Sequence, residues 1–141
     1  MESSSKTRVL LPQYAARLFR SSFATCFSVL IAARYELWAC AASALLVLLT
    51  SLNYWRDPVA GWRRSVDIAA VVVGIVYHVY CSAFCAPRAV QALYVLFLLQ
   101  AAYCYRRARE APTQDASSAW HCGVHVSGNV ANMLLYTGLA V

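Results

Sequence analysis

Charged side chains are scarce in this chain: Asp, Glu, Lys and Arg make up 13% of its 141 residues, against about 25% in ordinary soluble domains. Acidic residues are rarest, six against twelve Lys and Arg, for a formal net charge of +6. Together with 61% hydrophobic residues and a mean hydropathy of +0.53, this scarcity excludes disorder and argues against a soluble globular domain. No C-x-x-C pair occurs among Cys26, Cys40, Cys81, Cys85, Cys104 and Cys122, most of which lie in apolar runs. They read as small hydrophobes, and no disulfide framework is implied. No apolar run alternates with period two, so helices rather than a barrel are expected. No basic stripe interleaved with aromatics occurs either, and the positive charge does not point to nucleic acid.

What the chain does have is long apolar runs punctuated by arginine. The first twenty residues are polar, basic and interrupted by Pro12, and read as an exposed or interfacial arm. "SSFATCFSVLIAA", residues 21–33, is apolar but only 13 residues long between Arg20 and Arg34. A spanning helix needs roughly 20 residues, so an interfacial or re-entrant segment is expected over 1–34. Four longer runs follow, at about 35–53, 66–84, 90–105 and 120–139, with Trp, Tyr and Arg at their ends as interfacial anchors. Pro58 and Gly61 predict a turn between the first two, and Pro87 breaks the chain between the second and third. The expectation is an all-α integral membrane protein, a four-transmembrane-helix bundle over 35–141. Six basic residues then fall on each side: Lys6, Arg8, Arg17, Arg20, Arg34 and Arg88 opposite Arg56, Arg63, Arg64, Arg106, Arg107 and Arg109. Counting only those near span ends favours the second set as cytosolic.

Alternating topology brings four polar residues to one depth. Ser51 ends the first span, Asp67 opens the second, and His121 and His125 begin the fourth, all on the same side. His121, His125, Asn129, Asn132 and Tyr136 follow helical steps and form a polar ridge expected to face the bundle interior. His-x-x-x-His brings two imidazoles within reach of one metal ion, and catalytic zinc takes three protein ligands plus water. His78, eleven residues beyond Asp67, lies about 16 Å deeper along the axis. Asp67 is therefore the better third ligand, or a base beside the metal. Plainer readings stand next to this one. His121 is interfacial beside Trp120, Asn129 and Asn132 join helices by hydrogen bonds, and His78 is a buried hydrogen-bonding group. Asp67 pairs with Arg63 or Arg64 at a helix amino terminus.

"SLNYWRDPVAGWRRSVDIAAVVVGIVYHVYCSAFC" and "HCGVH" resemble the core and last motif of the CREST superfamily, which includes alkaline ceramidases, progestin and adiponectin receptors and haemolysin III-like proteins. The family pattern has a Ser and a His four apart, an Asp opening the next span, and His-x-x-x-His in the last. The resemblance implies a zinc-dependent lipid hydrolase with Ser51 and Asp67 as catalytic residues beside the metal-bound water and His121 and His125 as ligands. Trp55 stands where the family has its third histidine, and four spans are found in place of seven. The expected function is a membrane-embedded site for a metal or lipid headgroup, with membrane lipids as partners. The alternative is a non-enzymatic scaffold or assembly subunit whose ridge only packs helices. Transport would need a homo-oligomer, because four helices make a narrow bundle.

Overall fold

A computed structural model describes residues 8–140, which are helical throughout apart from short turns; no strand occurs among them. The helices are α1 (Pro12–Ser22), α2 (Thr25–Arg34), α3 (Trp38–Trp55), α4 (Trp62–Ser82), α5 (Arg88–Glu110) and α6 (Gln114–Leu139).

α1 and α2 form one 23-residue helix, Pro12–Arg34, with a tightened turn at its centre. Pro12 opens it at a position where the missing N–H costs nothing. The Ser21 and Ser22 hydroxyls both donate to Leu18 O, at 3.0 and 2.9 Å, which loosens the ordinary ladder at that point. Phe23 and Ala24 stay in the right-handed helical region and bond three residues back. The buried stripe runs straight through the junction: Ala15, Leu18, Ser22, Thr25, Ser28, Ala32. Segment 21–33 was expected to lie in the interface because Arg20 and Arg34 cut its apolar run short. The structure extends it by the amphipathic α1, and the combined helix is long and apolar enough to cross a membrane.

α3 and α4 meet the same standard, so three such helices occur among the described residues. α5 and α6 have the length, at 23 and 26 residues, but more polar sequences. α5 runs on to Glu110 through Arg106, Arg107 and Arg109, past the expected end at 105. α6 starts at Gln114, where the Thr113 hydroxyl caps Ala116 N at 3.2 Å.

The chain shuttles between two ends. At the first, Val9 N donates to Pro58 O at 2.8 Å and Leu11 N to Gln114 Oε1 at 2.9 Å, so the amino-terminal segment sits on the α3–α4 and α5–α6 turns. Arg8–Asp57 and Arg17–Asp115 ion pairs, at 3.4 and 2.8 Å, join the same three segments. At the second end Ala32, Cys40, Cys81, Cys85, Tyr94, Leu135 and Tyr136 share a core. α6 touches α1, α2, α4 and α5, while α3 packs between α2 and α4. Outward positions such as Leu49, Val73, Val76 and Leu99 are left exposed, as an apolar surround allows.

Close approach along α6 depends on absent side chains. A Cβ on Gly123 would lie 2.9 Å from Cys104 Sγ of α5, and one on Gly138 would collide with Cys85 Sγ and meet Val90 at 2.9 Å. A Cβ on Gly128 would meet nothing within 4 Å. Gly138→Val should therefore lower stability by about 1–3 kcal/mol through overpacking, read as an earlier thermal transition in detergent. Gly128→Ala should leave that transition unchanged or slightly raised.

Candidate functional site

The last turns of α3 put Thr50, Ser51 and Trp55 near the first end, opposite the opening turns of α4. Ser51 Oγ donates to Asp67 Oδ1 at 2.6 Å, and Thr50 Oγ1 approaches the same oxygen at 3.2 Å. All three residues are buried. Thr50 also has Leu46 O and Val47 O at 3.0 and 3.1 Å for its single proton, so Ser51 is the firm donor. Arg63 does not reach Asp67: its guanidinium bonds Asp57 at 3.2 Å and Asn53 O at 3.3 Å. Asp67 is thus held by hydroxyls of the neighbouring helix.

On α6, His121 and His125 lie one turn apart, their rings perpendicular at 89° with centroids 5.1 Å apart. Trp55 places its indole edge-to-face on His121 at 5.2 Å, and Tyr105 of α5 stands 6.3 Å away on the same ring. Trp55 is itself buried with Leu18 and Tyr54, so its bulk fills the space between α1, α3 and the start of α6. His125 Nδ1 lies 2.7 Å from Ser21 Oγ. The Ser21 hydroxyl has both this nitrogen and Leu18 O, at 3.0 Å, within reach of its single proton, so the bond to His125 forms with either imidazole tautomer.

Deeper in, Asn129 uses both ends of its carboxamide. Its Oδ1 accepts from Ser28 Oγ at 2.6 Å, while Nδ2 donates to His125 O at 2.7 Å and Thr25 Oγ1 at 3.2 Å. Tyr136 is fully buried and meets His78 of α4, OH to Nε2, at 2.7 Å. His78 Nδ1 faces Gly74 O at 2.6 Å, a carbonyl that can only accept. The ring is therefore protonated on Nδ1, and Tyr136 donates to Nε2.

The ridge does not present one surface to one cavity. It fans out: His121 to Trp55 on α3, His125 and Asn129 to α1 and α2, Tyr136 to α4. Ser51 and Asp67 come together, as do His121 and His125. Asp67 does not join the two histidines in a ligating cluster; no group of three or more His, Cys, Asp or Glu able to hold a metal forms among the described residues. Its Oδ1 is taken up by hydroxyls on α3 instead. Ser21, Thr25 and Ser28, absent from the expected site, supply the partners for α6. Their spacing of four and three residues was the available signal, a hydroxyl stripe on one helix face. Comparison of the chain with family models, curated proteins and solved structures found no match in any of the three.

Removing a partner from these buried pairs leaves a polar atom stranded. Tyr136→Phe and Asn129→Leu should each cost about 1–2 kcal/mol of stability in detergent. His121→Phe should change it by less, since His121 is packed by ring edges that phenylalanine reproduces. Equal losses for all three would show that ring packing, rather than hydrogen bonding, holds α6.

Proposed function

We propose that the protein is a multi-pass integral membrane protein, a scaffold or assembly subunit whose polar ridge joins helices and whose function is carried by its surfaces. The observation that carries this reading is the internal engagement of the ridge: His125, Asn129 and Tyr136 each meet a partner on another helix. In a bilayer such pairs hold a bundle together where the hydrophobic effect between helices is weak.

The donor set fits a resident catalytic zinc poorly. Such a site takes three protein ligands, and here two imidazoles of one helix are accompanied by the indole of Trp55. A second reading keeps the CREST-like site as a zinc-dependent lipid hydrolase, and one observation favours it. Position 55 lies against His121, so the place of the family's third histidine is next to the paired ones, one helix turn from the Ser51–Asp67 pair.

Metal content separates the two. Protein purified under zinc-replete conditions should be metal-free and folded, and Trp55→His should gain zinc that His121→Ala removes. Near-stoichiometric zinc in the unaltered protein, lost in the His121→Ala, His125→Ala double variant, would sink the scaffold reading and establish the second.

The reading also extends the bundle to five crossing helices: Pro12–Arg34, α3, α4, α5 and α6. The support is the length and apolarity of Pro12–Arg34 and its packing on α3 and α6. Arg8, Arg17, Arg56, Arg63, Arg64, Arg106, Arg107 and Arg109 then gather at the first end, against Arg34 and Arg88 at the second. That asymmetry favours the first end as the cytosolic one. Tags on the two termini should report opposite sides, the amino-terminal one cytosolic. Four spans with an interfacial amino-terminal helix would put both tags on one side.

A further inference from the structure

At the first end a groove of about 280 Å³ opens between α1 and the α3–α4 turn. Its walls are apolar: Leu10, Ala15, Phe19 and the buried indole of Trp55. Ala15 and its neighbour Ala16 leave the volume free, since larger side chains there would fill it. Its rim is basic. Arg8 and Arg56 stand at the mouth with one acid, Asp57. The Asp57 carboxylate is shared between Arg8 at 3.4 Å and Arg63 at 3.2 Å, which leaves the rim net positive. Arg56 is exposed and forms no ion pair among the described residues.

We propose that this groove binds one anionic glycerophospholipid, its phosphate held by Arg56 and Arg8 and the start of an acyl chain lying on Phe19 and Trp55. The combination of features selects the occupant. A guanidinium pair matches a phosphate by charge and by hydrogen-bond geometry. Apolar walls beneath the rim have no use for free phosphate but suit the glycerol-linked part of an acyl chain. The groove also opens at the end richest in arginine, the level where anionic headgroups gather on the cytosolic leaflet. This goes beyond the scaffold reading: it assigns a lipid class and named contacts to one surface of the protein. Trp55 also packs against His121, so the indole that forms a wall of the groove touches one of the paired histidines.

The test is native mass spectrometry of the full chain released from detergent after incubation with equimolar phosphatidylglycerol and phosphatidylcholine of equal chain length. The expected result is retention of one phosphatidylglycerol, about tenfold over phosphatidylcholine, and loss of that preference in the Arg8→Gln, Arg56→Gln double variant. Arg106→Gln, Arg107→Gln removes two charges from the same end away from the groove and should keep the preference, which separates a site from general attraction. Ala16→Trp fills the groove without touching charge and should abolish retention as well. Soluble glycerol phosphate in excess should fail to compete. Equal retention of the two lipids, an unchanged preference in the Arg8/Arg56 variant, or full competition by glycerol phosphate would overturn the proposal. The thermal transition of each variant, measured alongside, shows which remain folded; if the double variant does not, the Ala16→Trp result decides.

Discussion

His125, Asn129 and Tyr136 of α6 each hydrogen-bond to a partner on another helix, as polar groups in an apolar surround require. The rest of the structure is arranged around that constraint. α6 bears His121, His125, Asn129, Asn132 and Tyr136, and it is also the helix with the most neighbours. The two facts are one: a helix this polar is tolerated only where others surround it. α1 and α2 supply Ser21, Thr25 and Ser28, α4 supplies His78, and α3 supplies the indole edge that covers His121. The same logic governs Asp67, whose carboxylate is turned to Ser51 and Thr50 rather than to the arginines one turn away.

Small residues and polar pairs cooperate in this. Gly123 and Gly138 let α6 approach Cys104 and Val90 of α5 and Cys85 before it so closely that an added Cβ would force a neighbour to shift. Hydrogen bonds from the other faces of α6 then set its rotation. A helix gripped closely on one side and bonded on two others has little freedom to turn, so the orientation of His121 and His125 follows from the packing and hydrogen bonds around them. Trp55 completes the arrangement. Its indole packs between α1, α3 and the start of α6, and it links the groove beside α1 to His121 through a single side chain.

Much of the architecture was legible beforehand. Run lengths and arginine punctuation identified the helices now seen at Trp38–Trp55 and Trp62–Ser82 to within a few residues. The meeting of Ser51 with Asp67 was legible because both sit at the ends of consecutive antiparallel helices, where connectivity alone sets depth. The role of segment 21–33 was not. Its apolar run is short, and only packing of the amphipathic α1 turns it into a full-length helix with a continuous buried stripe. The hydroxyls of that stripe were consequently missing from the expected site.

The sequence by itself determined the class of the protein: its scarcity of charge and length of apolar run demand helices in lipid, and helical spacing determines which polar residues of α6 follow one another. Depth along each helix was also determined, because it depends only on counting residues from an end. Rotation and neighbourhood were decided by tertiary structure alone. Whether two groups at equal depth face each other depends on how five helices pack around a common axis, and that depends on side-chain volumes contributed by all of them. For this reason Ser51 and Asp67 meet, while Asp67 stays out of any metal-holding cluster with His125 and Asn129 turns instead to a segment that sequence reading had left outside the bundle.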